Sequence, residues 1–201
     1  MTFEFMWGVL TFCFVMSAIP GPNNTIAFSA GLNYGFLSTM PYIFAASASI
    51  SSMFAAVAWG LGEFFTAFPE FYGYLRYAGM AYILYLSWKV AALPVREKSD
   101  DAEHGAPEWR PTFLNGVLLQ WVNPIIWLIA VTGVTTCVGN DLQPTRVLFL
   151  CVTFFVMCFL CLMAWSLGGK LSGRVIRSAR VRRAINLLMG LLLASSVFRL
   201  L

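Results

Sequence analysis

The 201-residue chain is 59% hydrophobic and only 11% charged, with a mean hydropathy of +0.75, whereas soluble domains run near 45–50% apolar and about 25% charged. A water-soluble fold of this size could not hide so much apolar surface, so a soluble globular domain is excluded and the lipid bilayer is the chain's solvent. The net charge of +4 is too small to argue for nucleic acid, and the placement of the basic residues matters more.

A spanning helix needs roughly 20 mostly apolar residues, and six stretches fit: about 5–28, 40–62, 72–93, 112–135, 146–168 and 184–201. No basic n-region or small-residue cleavage site precedes the first, so it is expected to stay in the mature protein. That span carries AIPGPNNTIAF, residues 18–28. Pro20 and Pro22 cannot donate to the carbonyls of Met16 and Ala18, and the helical ladder opens at two rungs. Pro22 suits the first position of a new helix with Gly21 as its permissive N-cap, which frees the amides of Asn23 and Asn24 near the break.

The second span holds AASASISSM, residues 45–53, whose small-xxx-small spacing favours close helix approach, with the lining of a path as the alternative. Glu63 stands at the end of this span. Intramembrane acids are the usual proton carriers, which makes it the one carboxylate candidate for proton coupling; a solvated helix end is its plain alternative. The third span reads RYAGMAYILYLSWK over 76–89, and the mixed-charge loop 94–111 follows with the only histidine, His104, read as a solvated loop residue.

The fourth span contains LLQWVNPIIWL, residues 118–128. Pro124 frees the carbonyl of Gln120, and Asn123, pushed from helical angles by the proline behind it, makes a good N-cap. The five cysteines (Cys13, Cys137, Cys151, Cys158 and Cys161) all lie in apolar runs. Their odd number argues against a disulfide framework, and they read as small packing residues. The stretch 168–183 is polar and carries Lys170, Arg174, Arg177, Arg180, Arg182 and Arg183; the spacing of Lys170, Arg174 and Arg177 lines one helical face, and the loop reads as lying against anionic headgroups. Six spans put ten basic residues on one side and three on the other. The positive-inside rule then sets both termini outside the cytoplasm.

The breaks in spans one and four, and the rhyme of 76–89 with NLLMGLLLASSVFR at 186–199, suggest two three-helix repeats, 1–93 and 112–201, joined by 94–111. An odd number of spans per repeat inverts the second copy. The expected fold is therefore an all-α integral membrane protein, one transporter domain over 1–201 with helices one and four broken. Paired broken helices in inverted repeats point to a transporter's binding site, because free backbone groups must face protein or a wet cavity. The expected substrate-binding residues are Pro20, Gly21, Pro22, Asn23, Asn24, Gln120, Asn123 and Pro124. A half-helix N-terminus suits a carboxylate, and freed carbonyls suit an ammonium. No acid lies in the central turns of a span to pair the second positive charge of a lysine-like solute. Small neutral amino acids fit better.

PGPNN in the first span, YAGMAYILYLSWK in the third and QWVNP in the fourth resemble the lysine exporter/homoserine–threonine exporter family (LysE/RhtB), in particular its cysteine and O-acetylserine exporter branch. The resemblance implies efflux of amino acids or derivatives across the bacterial inner membrane, driven by the proton motive force, by a homo-oligomer. The run at 45–52 departs from it, with Ala and Ser where the family pattern has glycines. No cofactor or metal site is expected, and neither HExxH nor a nucleophile–base pair supports an enzyme. Two rival classes are a six-span thiol relay, for which Cys13 and Cys137 are the tempting pair, and a non-transporting membrane subunit.

Overall fold

The structure, a computed structural model, describes residues 1–61, 63, 67–93, 110–139, 142–176 and 178–200. His104, Arg96, Lys98 and the rest of 94–109, together with Asp141 and Arg177, lie outside the described residues. Within them every regular element is helical. α1 (Phe3–Ala18) starts at Thr2, whose Oγ1 accepts the Phe5 N–H at 3.3 Å. α2 (Pro22–Tyr34) follows at 56° to it. α3 (Phe36–Ala56) continues as a wider π-helical turn (Val57–Leu61) and breaks at Gly60, whose φ of +104° favours glycine.

Then come α4 (Pro69–Ala91), α5 (Phe113–Trp121) and α6 (Pro124–Gly133), the last extended by a π turn over Val134–Val138. α5 and α6 meet at 71°. α7 (Pro144–Val175) and α8 (Ala179–Ser195), with a short 3₁₀ turn at Ser196–Arg199, complete the chain. Phe36–Leu61, Pro144–Val175 and Ala179–Phe198 are each long and apolar enough to cross a membrane, and the two bent pairs raise the total to as many as five. α4 is long enough at 23 residues but does not pass on composition, since Glu70, Arg76, Lys89 and several tyrosines dilute it.

α7 shortens the loop read over 168–183 to the few residues between Val175 and Ala179. α7 runs 32 residues to Val175 and α8 starts at Ala179, so Lys170 and Arg174 ride on α7 while Arg180, Arg182 and Arg183 begin α8. Of Gly168, Gly169 and Gly173 in this helix, two are contact points. A Cβ on Gly169 would stand 2.0 Å from the Phe28 carbonyl oxygen, and one on Gly173 would stand 2.9 Å from that of Leu32. Burial of α2 against this face outweighs the roughly 1 kcal/mol by which each glycine disfavours helix. Arg182 closes the end by donating from Nε to the Ile176 carbonyl (3.1 Å) and from Nη2 to that of Gly173 (2.5 Å).

α1 and α2 pack along α7, α5 packs along α3, and α4 packs along α8. Backbones nearly touch where α2 crosses α7: a Cβ on Gly31 would lie 2.0 Å from the Ser166 carbonyl oxygen. The Ala/Ser run of α3 serves the same purpose from the other side. Gly116 of α5 faces it, with a virtual Cβ 2.7 Å from the Tyr42 oxygen and 2.9 Å from the Ala45 methyl. Ser51 Oγ also donates across to the Cys151 carbonyl at 2.8 Å. The glycine of this crossing is thus supplied by the partner helix, and Ala and Ser suffice on α3. Aromatic rings fill the centre, with Phe54 and Phe154 centroids 4.6 Å apart. Phe198, Leu191, Leu37 and Trp59 point outward, as lipid-facing side chains do.

Candidate functional site

At the first break the sequence reading of the turn holds locally: Gly21 is the N-cap of α2 and Pro22 its first residue. Gly21 brings no capping side chain, and among the described residues the Asn23 and Asn24 N–H groups meet no acceptor. The opened C-terminus of α1 is closed by a side chain instead. Asn24 Nδ2 donates to the carbonyls of Ile19 (2.7 Å) and Ser17 (3.1 Å), two of those left behind by the break. Thr25 binds the Gly21 carbonyl through both its N–H and its Oγ1, each at 3.0 Å.

At the second break Asn123 caps α6, its Oδ1 accepting the Ile125 N–H at 3.0 Å, and Pro124 is the first helical residue. The Gln120 carbonyl, which Pro124 cannot serve, accepts the Asn123 N–H at 3.2 Å. The Trp127 indole N–H reaches back 2.9 Å to the Trp121 carbonyl. Each bent pair is therefore held by a side chain that crosses its own break.

The two breaks are also joined to each other. Asn23 Nδ2 donates to Gln120 Oε1 at 2.8 Å and Gln120 Nε2 donates to Asn23 Oδ1 at 2.9 Å, a reciprocal carboxamide pair. Tyr42 Oη donates to the same Asn23 oxygen at 2.9 Å, and Gln120 Nε2 also reaches the Gly116 carbonyl at 3.0 Å. Tyr42 and Gln120 are completely buried. A satisfied polar cluster in such surroundings fixes one geometry, because each member left alone would be costly.

A cavity of about 290 Å³ opens between the breaks. Pro20, Gly21, Pro22, Asn23 and Asn24 line it from the first and Asn123 from the second. Gln120 and Pro124 do not line it; Gln120 braces the wall from behind through its bonds to Asn23. Ile50, Ile126, Phe154 and Leu162 form an apolar side, and no charged residue lines the cavity among the described residues. Ser17, Ser196 and Cys158 also line it, and sequence reasoning missed all three along with Tyr42. Ser17 alone had a visible signal, as a hydroxyl one helical turn before the break.

Glu63 is exposed and stands beyond the Gly60 break of α3, outside the cavity lining. All five cysteines are free thiols. Cys158 and Cys161 have the C-x-x-C spacing within α7, a pair that the reading of Cys13 and Cys137 passes over; Cys158 is buried against the cavity.

With this geometry in place, comparison with known proteins gives the family. The chain matches the model of the LysE type translocator over residues 14–201 and belongs to that family. It is similar to the cysteine/O-acetylserine efflux proteins of Escherichia coli (strain K12) and of Shigella flexneri, at 28% identity over 200 residues covering 94% of each chain. No solved structure matches it. The family is one of transporters, and the chain is not an enzyme.

Proposed function

We propose that this LysE type translocator is a secondary exporter of small neutral amino acids or derivatives (cysteine, O-acetylserine, threonine or homoserine-like solutes) at the bacterial inner membrane, coupled to the proton motive force. The carrying observation is that both helix breaks, about a hundred residues apart in sequence, converge on one small cavity walled by neutral polar and apolar groups. A buried lysine side chain would need an anion there, and among the described residues the wall offers none. The efflux names of the relatives agree with this reading.

The full architecture we propose is six spans in two inverted repeats. The packing supports it: α1 and α2 of the first half lie along α7 of the second, α5 of the second along α3 of the first, and α4 and α8 on each other. That exchange is what a two-fold relation of the halves requires. α4 serves as the remaining span, since Ile83, Leu86 and Val90 are completely buried along it. The charge asymmetry supports a cytoplasmic 94–111 and a cytoplasmic α7–α8 junction, with both termini outside. A reporter active only outside the cytoplasm should therefore work after Leu201 and stay silent when inserted after Ser178; activity at Ser178 would overturn both the orientation and the span number. Glu63 is the proposed proton carrier, and association into a homo-oligomer follows the family.

Cells overproducing the protein should tolerate toxic neutral amino-acid analogues better, with tolerance of basic analogues unchanged. Protection confined to lysine or arginine analogues would contradict the substrate class.

A further inference from the structure

The capping network decides which polar atoms of the cavity are left for a solute. The Asn23 carboxamide is engaged at both ends by Gln120 and Tyr42. Asn24 Nδ2 is spent on the Ser17 and Ile19 carbonyls, which removes two of the acceptors that a broken helix would otherwise offer. Asn123 Oδ1 is spent on the Ile125 N–H, and this fixes the orientation of the side chain with its amino group, Nδ2, left over.

What remains includes a cluster of free donors. Among the described residues the Asn23 and Asn24 N–H groups at the start of the 13-residue α2 have no partner, nor has Asn123 Nδ2. A second, independent feature is the Ser17 hydroxyl: the residue is 7% exposed, it lines the cavity, and its Oγ meets no donor or acceptor. Against these stand acceptors that are all neutral among the described lining residues, Asn24 Oδ1, the Met16 and Pro20 carbonyls and the Ser196 hydroxyl oxygen among them. Amides at a helix N-terminus, together with hydroxyl and carboxamide donors, hold an anion well. An ammonium taken into the same cavity would find no counter-charge.

We propose that the cavity reads its solute by the carboxylate, through the Asn23 and Asn24 amides, the Ser17 hydroxyl and the Asn123 amino group, and that small N-acylated and deaminated carboxylic acids are carried alongside free amino acids. This rests on the exporter reading above and extends its substrate class. The α-ammonium is a tolerated group at this site. The carboxylate is the required one. Cavity size sets the other limit, since about 290 Å³ lies at the small end of ligand sites (roughly 300–1,000 Å³) and admits short side chains or a short acyl group.

The test uses the full chain in liposomes and the labelled solute with the highest flux among cysteine, O-acetylserine, threonine and homoserine. Its N-acetyl, deaminated and decarboxylated analogues are added as competitors. The first two should compete within about threefold of the parent, and the decarboxylated amine should not compete, because a charge-assisted hydrogen-bond set is lost. Ser17→Ala should weaken the parent and both acids alike, by roughly tenfold, the effect of one hydrogen bond to a charged group. Competition by the amine but not by the acids, or unchanged affinities in Ser17→Ala, would overturn the inference while leaving export intact. No flux of any of the four amino acids would overturn the exporter reading and this inference with it.

Discussion

Replacing Pro124 by alanine is expected to abolish export while leaving the protein inserted in the membrane in normal amount. Proline at this position withholds an N–H and keeps Asn123 in extended backbone. Alanine supplies the missing donor and lifts the restriction on Asn123, so α5 and α6 can run on as one helix in place of the 71° bend. Straightening draws Asn123 off the cavity wall, parts the Trp127–Trp121 bond, and moves the Val122 carbonyl that packs at Gly79, where a Cβ would lie 2.4 Å away. None of this costs stability in the helix itself, because alanine is the better helix former. Pro22→Ala should act in the same way on the first break. The check is export rate per molecule, with thermal unfolding in detergent measured beside it. A simple kink predicts a partial loss, and full export by Pro124→Ala would remove the second break from the solute site.

The largest loss of stability is expected at Gly169. Its virtual Cβ falls 2.0 Å from the Phe28 backbone oxygen and 2.9 Å from the Leu32 nitrogen, and backbone cannot rotate aside as a side chain can. Even alanine must push α2 off α7 along the crossing that also holds Gly31 against Ser166. Overpacking of this kind costs about 3 kcal/mol, at the upper end of the usual range, and should appear as a lower unfolding temperature and reduced membrane yield. Gly8→Ala is the internal control, since nothing lies within 4 Å of its virtual Cβ and alanine should be neutral or slightly stabilising in α1. Equal unfolding temperatures for the two variants would show that α2 and α7 are not in backbone contact.

These two expectations also separate what the sequence discloses from what it conceals. The helix breaks were legible because proline and the residues beside it act locally: Gly21 and Asn123 are N-caps and Pro22 and Pro124 first-turn residues, as their types dictate. The end of α7 was not, because Gly168, Gly169 and Gly173 look the same in sequence whether they break a helix or admit a neighbouring backbone. Only the crossing of α2 decides between these. Gln120 was recognised as belonging to the break, but its bond to Asn23 spans 97 positions, and no periodicity reveals that it braces the wall while Ser17 lines it. The Ala/Ser run in α3 was legible as a packing face, and the glycine opposite it, Gly116, had no local mark at all.

Flux of labelled amino acids in liposomes holding the purified protein, with and without an imposed proton gradient, reads export and its coupling in one measurement. Small neutral amino acids should show flux that the gradient stimulates, lysine and arginine none, and Glu63→Gln should lose the stimulation but not exchange. Flux confined to basic amino acids, or none for any neutral one, would contradict the proposed function.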